Sequence, residues 1–520
     1  MSMETMKRRT YASYVTTGAL GLALIGLAAC SSGDDTGTLT PDGSAGLSGP
    51  IAFVNNTGDR SLTSVALRGD SNSAVLNTIP NTTFGNLALG DMQFTSGEWV
   101  FVNISGINDG QNNSQNVGTK VAALDPINSA TPIHRTNLPT GVRPVHIYRD
   151  PTNGEVIWSM NDTITINTTT PGDDTINCNN PNRVGGPVEG GSVTIIHNSH
   201  QGPGAHDPEI EATVCLLADG HKVTAFSQPT ATDATIPRRA FVSSEIAGEV
   251  AVIDNEPNSS TKYQMIRRID MCNPQKETCN PENPTGTTAF TPNDSAPHGI
   301  RWSKLTGKVY SIQEGYGEIA EIDPKTFDIT NRIDLTSTPY TSFGISPDGR
   351  FLLLRGDTTP PTGTKLGVID LGTANNPRTD FTIPELAGTS PGTFKFSPDG
   401  KRFYILAGNA ATATKKDRLF AFDASTLVPA APAAQPALTL LAEIQLLQTG
   451  GHGMDVLAQG ASGAGEAKYI VVSNTGTPGS VTIINATDNS IKQHVGVGSA
   501  PNGVLVYYPG AAAAGNQATN

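Results

Sequence analysis

The sequence lacks the short motifs that mark many enzyme active sites. Its 520 residues contain no phosphate-binding loop or zinc-protease motif. The absence of a Cys-x-x-Cys-His motif excludes covalently attached haem on motif grounds. The formal net charge of −13 argues against nucleic acid or anionic lipid head groups as partners. These absences leave binding modules, and enzymes whose site residues come from distant parts of the chain.

Cysteine is scarce, with five residues in the chain. Cys30 ends an apolar N-terminal run, which leaves an even set of four. We expect the disulfide Cys178–Cys215 to bracket a long loop and Cys272–Cys279 to flank a short polar one. Free buried thiols are the alternative, which the polar surroundings of these cysteines disfavour.

The N-terminal segment has the features of a secretory signal, namely a basic start, a short apolar core and small residues before Cys30. The tetrapeptide Leu-Ala-Ala-Cys at residues 27–30 resembles a bacterial lipobox, whose cysteine is lipidated. Ser31 follows where an aspartate would retain a lipoprotein in the inner membrane. The resemblance therefore implies an exported, palmitate-bearing outer-membrane lipoprotein that meets the membrane only through its lipid anchor and faces the periplasm or the surface. We predict a signal peptide over residues 1–29 and a flexible tether over 30–50; an ordinary cleaved signal is the alternative.

The rest of the chain repeats one pattern of short strands and turns. Four short, near-alternating apolar strands span residues 297–339, and Ser-Pro-Asp-Gly turns recur at 346–349 and 397–400. A four-strand repeat of about 42 to 51 residues is typical of propeller blades. We therefore predict an all-β chain, with a single β-propeller over residues 51–508 and a disordered tail over 509–520.

The two ends of this region predict how the ring closes. Residues 51–79 hold three strands, one short of a blade, and a lone strand occupies 503–508. Pairing the C-terminal strand with the N-terminal blade would remove two open sheet edges. Complete units begin near Gly90, Val145, His221, His298, Thr341, Gly392 and His452. Eight four-stranded blades are favoured, and seven remain possible if residues 145–296 are organised differently.

Several short sequence segments resemble the YVTN-type β-propeller repeat. They are Pro-His-Gly-Ile at residues 297–300, the two Ser-Pro-Asp-Gly turns, and Gly-Ser-Val-Thr-Ile-Ile at 479–484. This family is similar to the propellers of cytochrome d1 and nitrous-oxide reductase. The resemblance covers most of the chain after Pro50 and implies the fold. It leaves the function open, because such propellers include binders, adhesins and redox enzymes.

Histidines near the starts of blades form the first candidate site. They are His146, His221, His298 and His452. Innermost strands line the channel of a propeller, so these side chains can converge on copper or zinc. His146 and His221 lie about one residue away from the position within the blade that His298 and His452 share. Successive side chains of a strand point to opposite faces of the sheet, so a difference of one residue changes the face on which a side chain lies. Structural hydrogen bonds to neighbouring blades are therefore the favoured alternative.

A second candidate group lies between Cys178 and Cys215. It contains His197, His200 and His206, whose imidazoles also suit zinc or copper. The spacing matches no established metal motif, so a solvated loop rich in histidine is the alternative.

The positions of the Asp and Glu residues in the sequence do not predict a catalytic pair of carboxylates. Most occupy turns, and Glu314, Glu318 and Glu321 alternate with apolar residues, which we interpret as a solvated sheet face. The first functional hypothesis is a monomeric binding or interaction module for a protein, glycan or small molecule. The alternative is a metal-binding or redox-associated periplasmic propeller. A lactonase-type propeller enzyme is a distant third.

Overall fold

The computed structural model describes residues 49–508 with several gaps. The residues outside the description within that range are 69–71, 97, 107–117, 127–130, 163–178, 181–187, 190, 200–205, 217–219, 281–290, 337–339, 357–364, 387–388, 409–416, 429–435, 448–452 and 459–464.

The described residues form eight four-stranded antiparallel sheets. Blade 1 contains β1 (Ile51–Asn56), β2 (Ser61–Ala66), β3 (Ala74–Ile79) and β34 (Pro501–Tyr507). Blade 2 contains β4 (Leu89–Phe94), β5 (Val100–Ile104), β6 (Lys120–Asp125) and β7 (Ile133–Pro139). Blade 3 contains β8 (Pro144–Arg149), β9 (Val156–Asn161), β12 (Ser192–Ser199) and β13 (His206–Cys215), with β10 (Asn179–Asn180) and β11 (Val188–Glu189) forming a separate two-stranded ribbon.

The second half of the ring repeats the same order of strands. Blade 4 contains β14 (Thr224–Ser227), β15 (Arg239–Ser244), β16 (Glu249–Asp254) and β17 (Met265–Asp270). Blade 5 contains β18 (Pro297–Ser303), β19 (Lys308–Gln313), β20 (Glu318–Ile322) and β21 (Ile329–Asp334). Blade 6 contains β22 (Tyr340–Ile345), β23 (Phe351–Gly356), β24 (Lys365–Asp370) and β25 (Arg378–Thr382). Blade 7 contains β26 (Ser390–Phe396), β27 (Arg402–Gly408), β28 (Arg418–Asp423) and β29 (Thr439–Gln445). Blade 8 contains β30 (Met454–Ala458), β31 (Ala467–Asn474), β32 (Gly479–Asn485) and β33 (Ile491–Val497).

Helix is nearly absent from the described part of the chain. The three short 3-10 helices are Asn81–Phe84, Pro384–Leu386 and Ala424–Leu427. The predicted all-β propeller is confirmed with eight blades, so the seven-blade alternative is excluded. The first strands of blades 2 to 8 begin within about three residues of the predicted starts.

The ring closes through the predicted pairing of chain ends. β34 lies antiparallel to β1 as the innermost strand of blade 1, with Ile51 opposite Tyr507 and Val54 opposite Val504. The Thr57 amide donates to the Ala500 carbonyl at 3.0 Å beyond the strands. Both sheet edges that would otherwise be open are therefore satisfied by hydrogen bonds.

The hydrophobic core lies between the blades. The middle strands, such as β2, β9 and β16, are buried along their whole length because a neighbouring blade covers each face, whereas the outer strands β3, β21 and β29 are largely exposed. The indole of Trp158 in blade 3 packs edge-on against Phe226 of blade 4, with ring centroids 5.3 Å apart. Contacts of this kind fix the angle between adjacent blades.

The Ser-Pro-Asp-Gly turns are structural. The Ser397 hydroxyl donates to Asp399 at 2.6 Å and accepts a hydrogen bond from the Arg402 amide at 2.9 Å. Gly400 has a φ of 72°, in the left-handed region that glycine favours. The hydroxyl of Ser397 thus makes its hydrogen bonds within the turn.

Candidate site in the propeller channel

Three of the four predicted channel histidines lie together at the centre of the ring. His146 is on β8, His221 is three residues before β14, and His298 is on β18, so they come from blades 3, 4 and 5. The ring centroids of His146 and His221 are 4.6 Å apart, and those of His221 and His298 are 5.2 Å apart. The fourth, His452, lies outside the described residues.

The strand pairing is irregular beside two of these histidines, His146 and His298. The pairing of β8 with β9 shifts between Pro144 and His146, and the pairing of β18 with β19 shifts between Pro297 and Gly299. A bulge adds a residue to one strand and turns the following side chains to a new direction. The one-residue displacement in the sequence therefore does not separate His146 from His298, and His221 lies before β14, outside the paired part of its strand.

Each imidazole is held by a carboxylate through its Nδ1 atom. The distances are 2.5 Å from His146 Nδ1 to Asp91 Oδ2, 2.8 Å from His221 Nδ1 to Asp162 Oδ2, and 3.0 Å from His298 Nδ1 to Glu314 Oε1. An ionised carboxylate only accepts hydrogen bonds, so each Nδ1 is the donor. This arrangement fixes the tautomer and leaves the Nε2 atom of each ring for other partners.

The Nε2 atoms of His146 and His221 face each other at 2.8 Å. With both Nδ1 atoms donating to carboxylates, two Nε2 lone pairs meet unless one nitrogen carries a further proton. Burial disfavours protonation of His146, but the Asp91 carboxylate outweighs burial and raises its pKa. Burial lowers the pKa of His221, and the neighbouring His146 and His298 add to that effect against Asp162. His146 is thus the proton donor of the pair and His221 the acceptor.

A further carboxyl group lies beside His298. The Glu245 amide donates to the His221 carbonyl at 3.2 Å, which places this residue at the same end of blade 4 as His221. Burial raises the pKa of Glu245, with Glu314 adding to the effect and His298 opposing it. Burial also opposes protonation of His298, but the hydrogen bond to Glu314 outweighs it and raises the pKa of the imidazole. His298 Nδ1 lies 3.4 Å from the Thr341 carbonyl of the next blade, so it also makes the interblade contact considered from sequence.

The carboxylates of the cluster were missed or misread in the sequence. Glu314 was interpreted as part of a solvated face, but its side chain lies in the channel against His298 and is 21% exposed. Glu318 is 3% exposed and is bound by Asn273 and Arg332, so that interpretation is wrong for it as well. The alternation of polar and apolar residues could not reveal these contacts of Glu314 and Glu318, because neighbouring blades cover both faces of the strands.

A positional signal for these carboxylates does exist in the sequence. Asp162, Glu245 and Glu314 are each the first residue after the second strand of blades 3, 4 and 5. In an antiparallel pair the end of the second strand meets the start of the first, where the histidines lie. Aligning the blades on their second strands would have placed these carboxylates beside the histidines.

The channel holds a cavity of about 390 Å³ beside the histidines. Its lining comes from the inner parts of blades 1, 2, 3, 4, 7 and 8 and includes Asp91, Arg143, His221, Lys395 and Asp455. Lys395 Nζ lies 3.0 Å from Asp455 Oδ1 on the wall formed by blades 7 and 8. The cavity therefore carries both positive and negative side chains.

The second histidine group does not join this cluster. His197 is on β12, the third strand of its blade, and its Nε2 lies 3.6 Å from Glu155 Oε2. His206 begins β13, and His200 lies outside the described residues. Across the parts of the chain that the structure describes, no three His, Cys, Asp or Glu side chains already surround one point as metal ligands do. The metal-binding roles of both groups remain predictions.

One predicted disulfide is present in full. Cys272 and Cys279 are bonded, with their Cα atoms 5.8 Å apart. Cys215 is disulfide-bonded as well, and its predicted partner Cys178 lies outside the described residues, as does Cys30. No helix in the described portion is long and apolar enough to span a membrane.

Comparisons with known proteins establish the fold. No family model and no curated protein sequence matches the chain. The solved structure of dihydro-heme d1 dehydrogenase NirN in complex with DHE is similar, with 12% identity, a TM-score of 0.51, and coverage of 88% of this chain and 75% of that one. Citrobacter koseri AztD is similar at 11% identity and a TM-score of 0.50, covering 89% and 98%. The periplasmic gluconolactonase PpgL of Pseudomonas aeruginosa has 14% identity and a TM-score of 0.44, covering 77% and 97%. At such low identity the likenesses to NirN and AztD concern the β-propeller fold and not the activity.

Proposed function

We propose that this chain is an exported, lipid-anchored β-propeller of the YVTN type that binds a zinc or copper ion in its channel. The observation that carries the proposal is the pair of Nε2 atoms of His146 and His221, 2.8 Å apart, with both Nδ1 atoms held by carboxylates. Two imidazole lone pairs in this position need a cation between them. A proton meets that need in the metal-free protein, and a metal ion would replace it.

The distance between the two nitrogens is close to what a metal needs. Zinc–imidazole bonds of about 2.0 to 2.1 Å in a tetrahedral site separate two ligand nitrogens by about 3.3 Å. A movement of about half an ångström apart is within reach of small rotations of the two rings. Zinc and copper are the ions that imidazole ligands favour.

His298 and Glu245 are the candidates for further ligands. The His298 ring lies 5.2 Å from that of His221, and Glu245 is held next to His221 through its backbone. Either side chain would have to turn toward the ion. The carboxylate behind each histidine is the outer partner that metal-binding imidazoles commonly have, where it orients the ring and raises its basicity.

Metal analysis tests this proposal. The purified protein is loaded with zinc or copper, dialysed and analysed by plasma mass spectrometry. We expect about one ion per chain, lost in the double variant His146→Gln, His221→Gln. His134→Gln is the matched control, because His134 lies on the outer strand β7 and contacts Asn137. No retained ion in the wild type, or equal retention in the double variant, would favour the other hypothesis, a module that binds a protein, glycan or small molecule.

Fractionation tests the proposed location. Cys30→Ser should prevent lipidation and release the protein from membranes. Ser31→Asp should keep the anchor but move the protein from the outer to the inner membrane. Mature Cys30→Ser protein that still sediments with membranes would contradict a lipid anchor at this residue.

A further inference from the structure

Arg143 is a channel cation, and none of the described carboxylates is bonded to it. It lies directly before β8 and, like His221, is one of the residues that line the cavity. Its Nε atom is buried and has no hydrogen-bond partner among the residues that the structure describes. Within the described residues, no carboxylate forms an ion pair with its guanidinium.

The carboxylate nearest to Arg143, that of Asp162, already accepts hydrogen bonds from other donors. Asp162 accepts hydrogen bonds from His221 Nδ1 at 2.8 Å and from the Lys222 amide at 3.0 Å. The backbone amide of Asp162 donates to the Arg143 carbonyl at 2.9 Å, so the two residues are neighbours. Asp162 therefore offsets the charge of Arg143 at a distance but does not supply its hydrogen bonds.

A second cation lies on the opposite wall. Arg143 belongs to blade 3 and Lys395 to blade 7, which are four positions apart in the ring of eight. Lys395 uses one of its three donors on Asp455 and also lines the cavity. The cavity of about 390 Å³ between them has room for a small organic acid.

We propose that the channel cavity binds a small molecule with an oxyanion group, a carboxylate or a phosphate, with Arg143 as its main anchor. A planar guanidinium presents paired N–H donors that match the two oxygens of such a group. A partly buried cation without a bonded partner is unfavourable, and an anion in the cavity would remove that cost. The amino group of Lys395 would face the far end of the ligand. This inference does not require a metal ion at the histidines.

Calorimetric titration of the metal-free protein tests the proposal. Resin-treated protein is titrated with succinate, citrate and inorganic phosphate at constant ionic strength, with chloride as the reference anion. We expect one site per chain for a carboxylate or phosphate ligand. Arg143→Gln should weaken binding by about ten- to a hundredfold, the effect of losing one or two charge-assisted hydrogen bonds. Arg143→Lys should weaken it less, because the charge remains and only the paired geometry is lost.

Arg60 provides a matched control. Its φ is 58°, the same as that of Arg143, and it bonds the Asn86 carbonyl away from the channel. Arg60→Gln should therefore bind like the wild type. Equal affinity in Arg143→Gln, or no binding beyond that of chloride, would overturn the proposal. Comparing the acids with phosphate identifies which oxyanion the site prefers. Since metal is absent throughout, failure of the metal proposal would leave this result unaffected.

Discussion

His146 and His221 meet through their Nε2 atoms, 2.8 Å apart, across the boundary between blades 3 and 4. Neither blade contains the pair by itself, so its geometry depends on how the two blades pack. Asp91 of blade 2 and Asp162 of blade 3 hold the outer nitrogens of the two rings. A chain of hydrogen bonds thus links the inner parts of three consecutive blades.

The Asp162 carboxylate should set the affinity of the site for metal. Asp162→Asn keeps the shape of the side chain but removes the charge that orients and polarises His221. Loss of such a partner typically lowers metal affinity by about 10- to 100-fold. Competition with a metal-sensitive dye would measure the change.

Asp488→Asn is the control for this variant. Asp488 occupies an exposed turn and accepts hydrogen bonds from Ser490. Its replacement should leave metal affinity unchanged. An Asp162→Asn protein with normal melting behaviour and undiminished affinity would contradict a supporting role for this carboxylate.

Acid should weaken the ion pair between Arg350 and Asp370. Arg350 Nε and Nη2 lie 2.8 and 2.9 Å from the two carboxylate oxygens. Burial tends to raise the pKa of Asp370, but the hydrogen bonds from Arg350 and Thr373 outweigh it and lower the pKa below its usual value. The pair therefore stabilises the fold above the unfolded-state pKa of about 3.9, and this stability is lost as pH falls through the folded-state pKa.

Thermal melting of Arg350→Met at different pH values tests this prediction. Near neutral pH we expect a loss of about 1 kcal/mol in the free energy of unfolding, because Arg350 is partly exposed. The difference from the wild type should shrink toward zero below the folded-state pKa. Lys401→Met is the control, since Lys401 holds the same turn position in blade 7 but is 65% exposed. A difference that stays constant with pH would contradict the assignment.

Removing residues 502–520 should destroy the ring. Blade 1 would lose its innermost strand, β34, and the apolar strand β1 would present an unpaired edge to other chains. We expect a large loss of stability and aggregation, measured by melting and light scattering. Removing only residues 509–520 is the control and should have little effect. Unchanged melting after the longer deletion would disprove closure by β34.

Peptide mapping without reduction should find two disulfides in the mature protein, Cys178–Cys215 and Cys272–Cys279. Replacing both Cys272 and Cys279 by serine should lower the free energy of unfolding by about 2 kcal/mol, because their loop is short. The Cys178–Cys215 bond closes a longer loop and should contribute about 3 to 4 kcal/mol. A free thiol among these four cysteines would refute the pairing.

The fold was predictable because it repeats. Turns such as Ser-Pro-Asp-Gly and the unmatched strands at both ends determine the blade number and the closure, and each follows from local sequence. The position of the cluster was predictable to the extent that histidines recur near blade starts. Their actual contacts were not, since the shifts at Pro144–His146 and Pro297–Gly299 break the alternation on which face assignment depends.

The pairing of β1 with β34 also ties folding to the order of protein synthesis. Thr57 and Ala500 are 443 residues apart in the chain, yet they are hydrogen-bonded neighbours. Until the ribosome has added β34, the blades already made can form only an open arc, because β34 is the last of the described strands of this ring. Prematurely ended translation products would all share the same exposed β1 edge. Proteases and chaperones that recognise unpaired strands could therefore separate incomplete copies from finished ones at this single place.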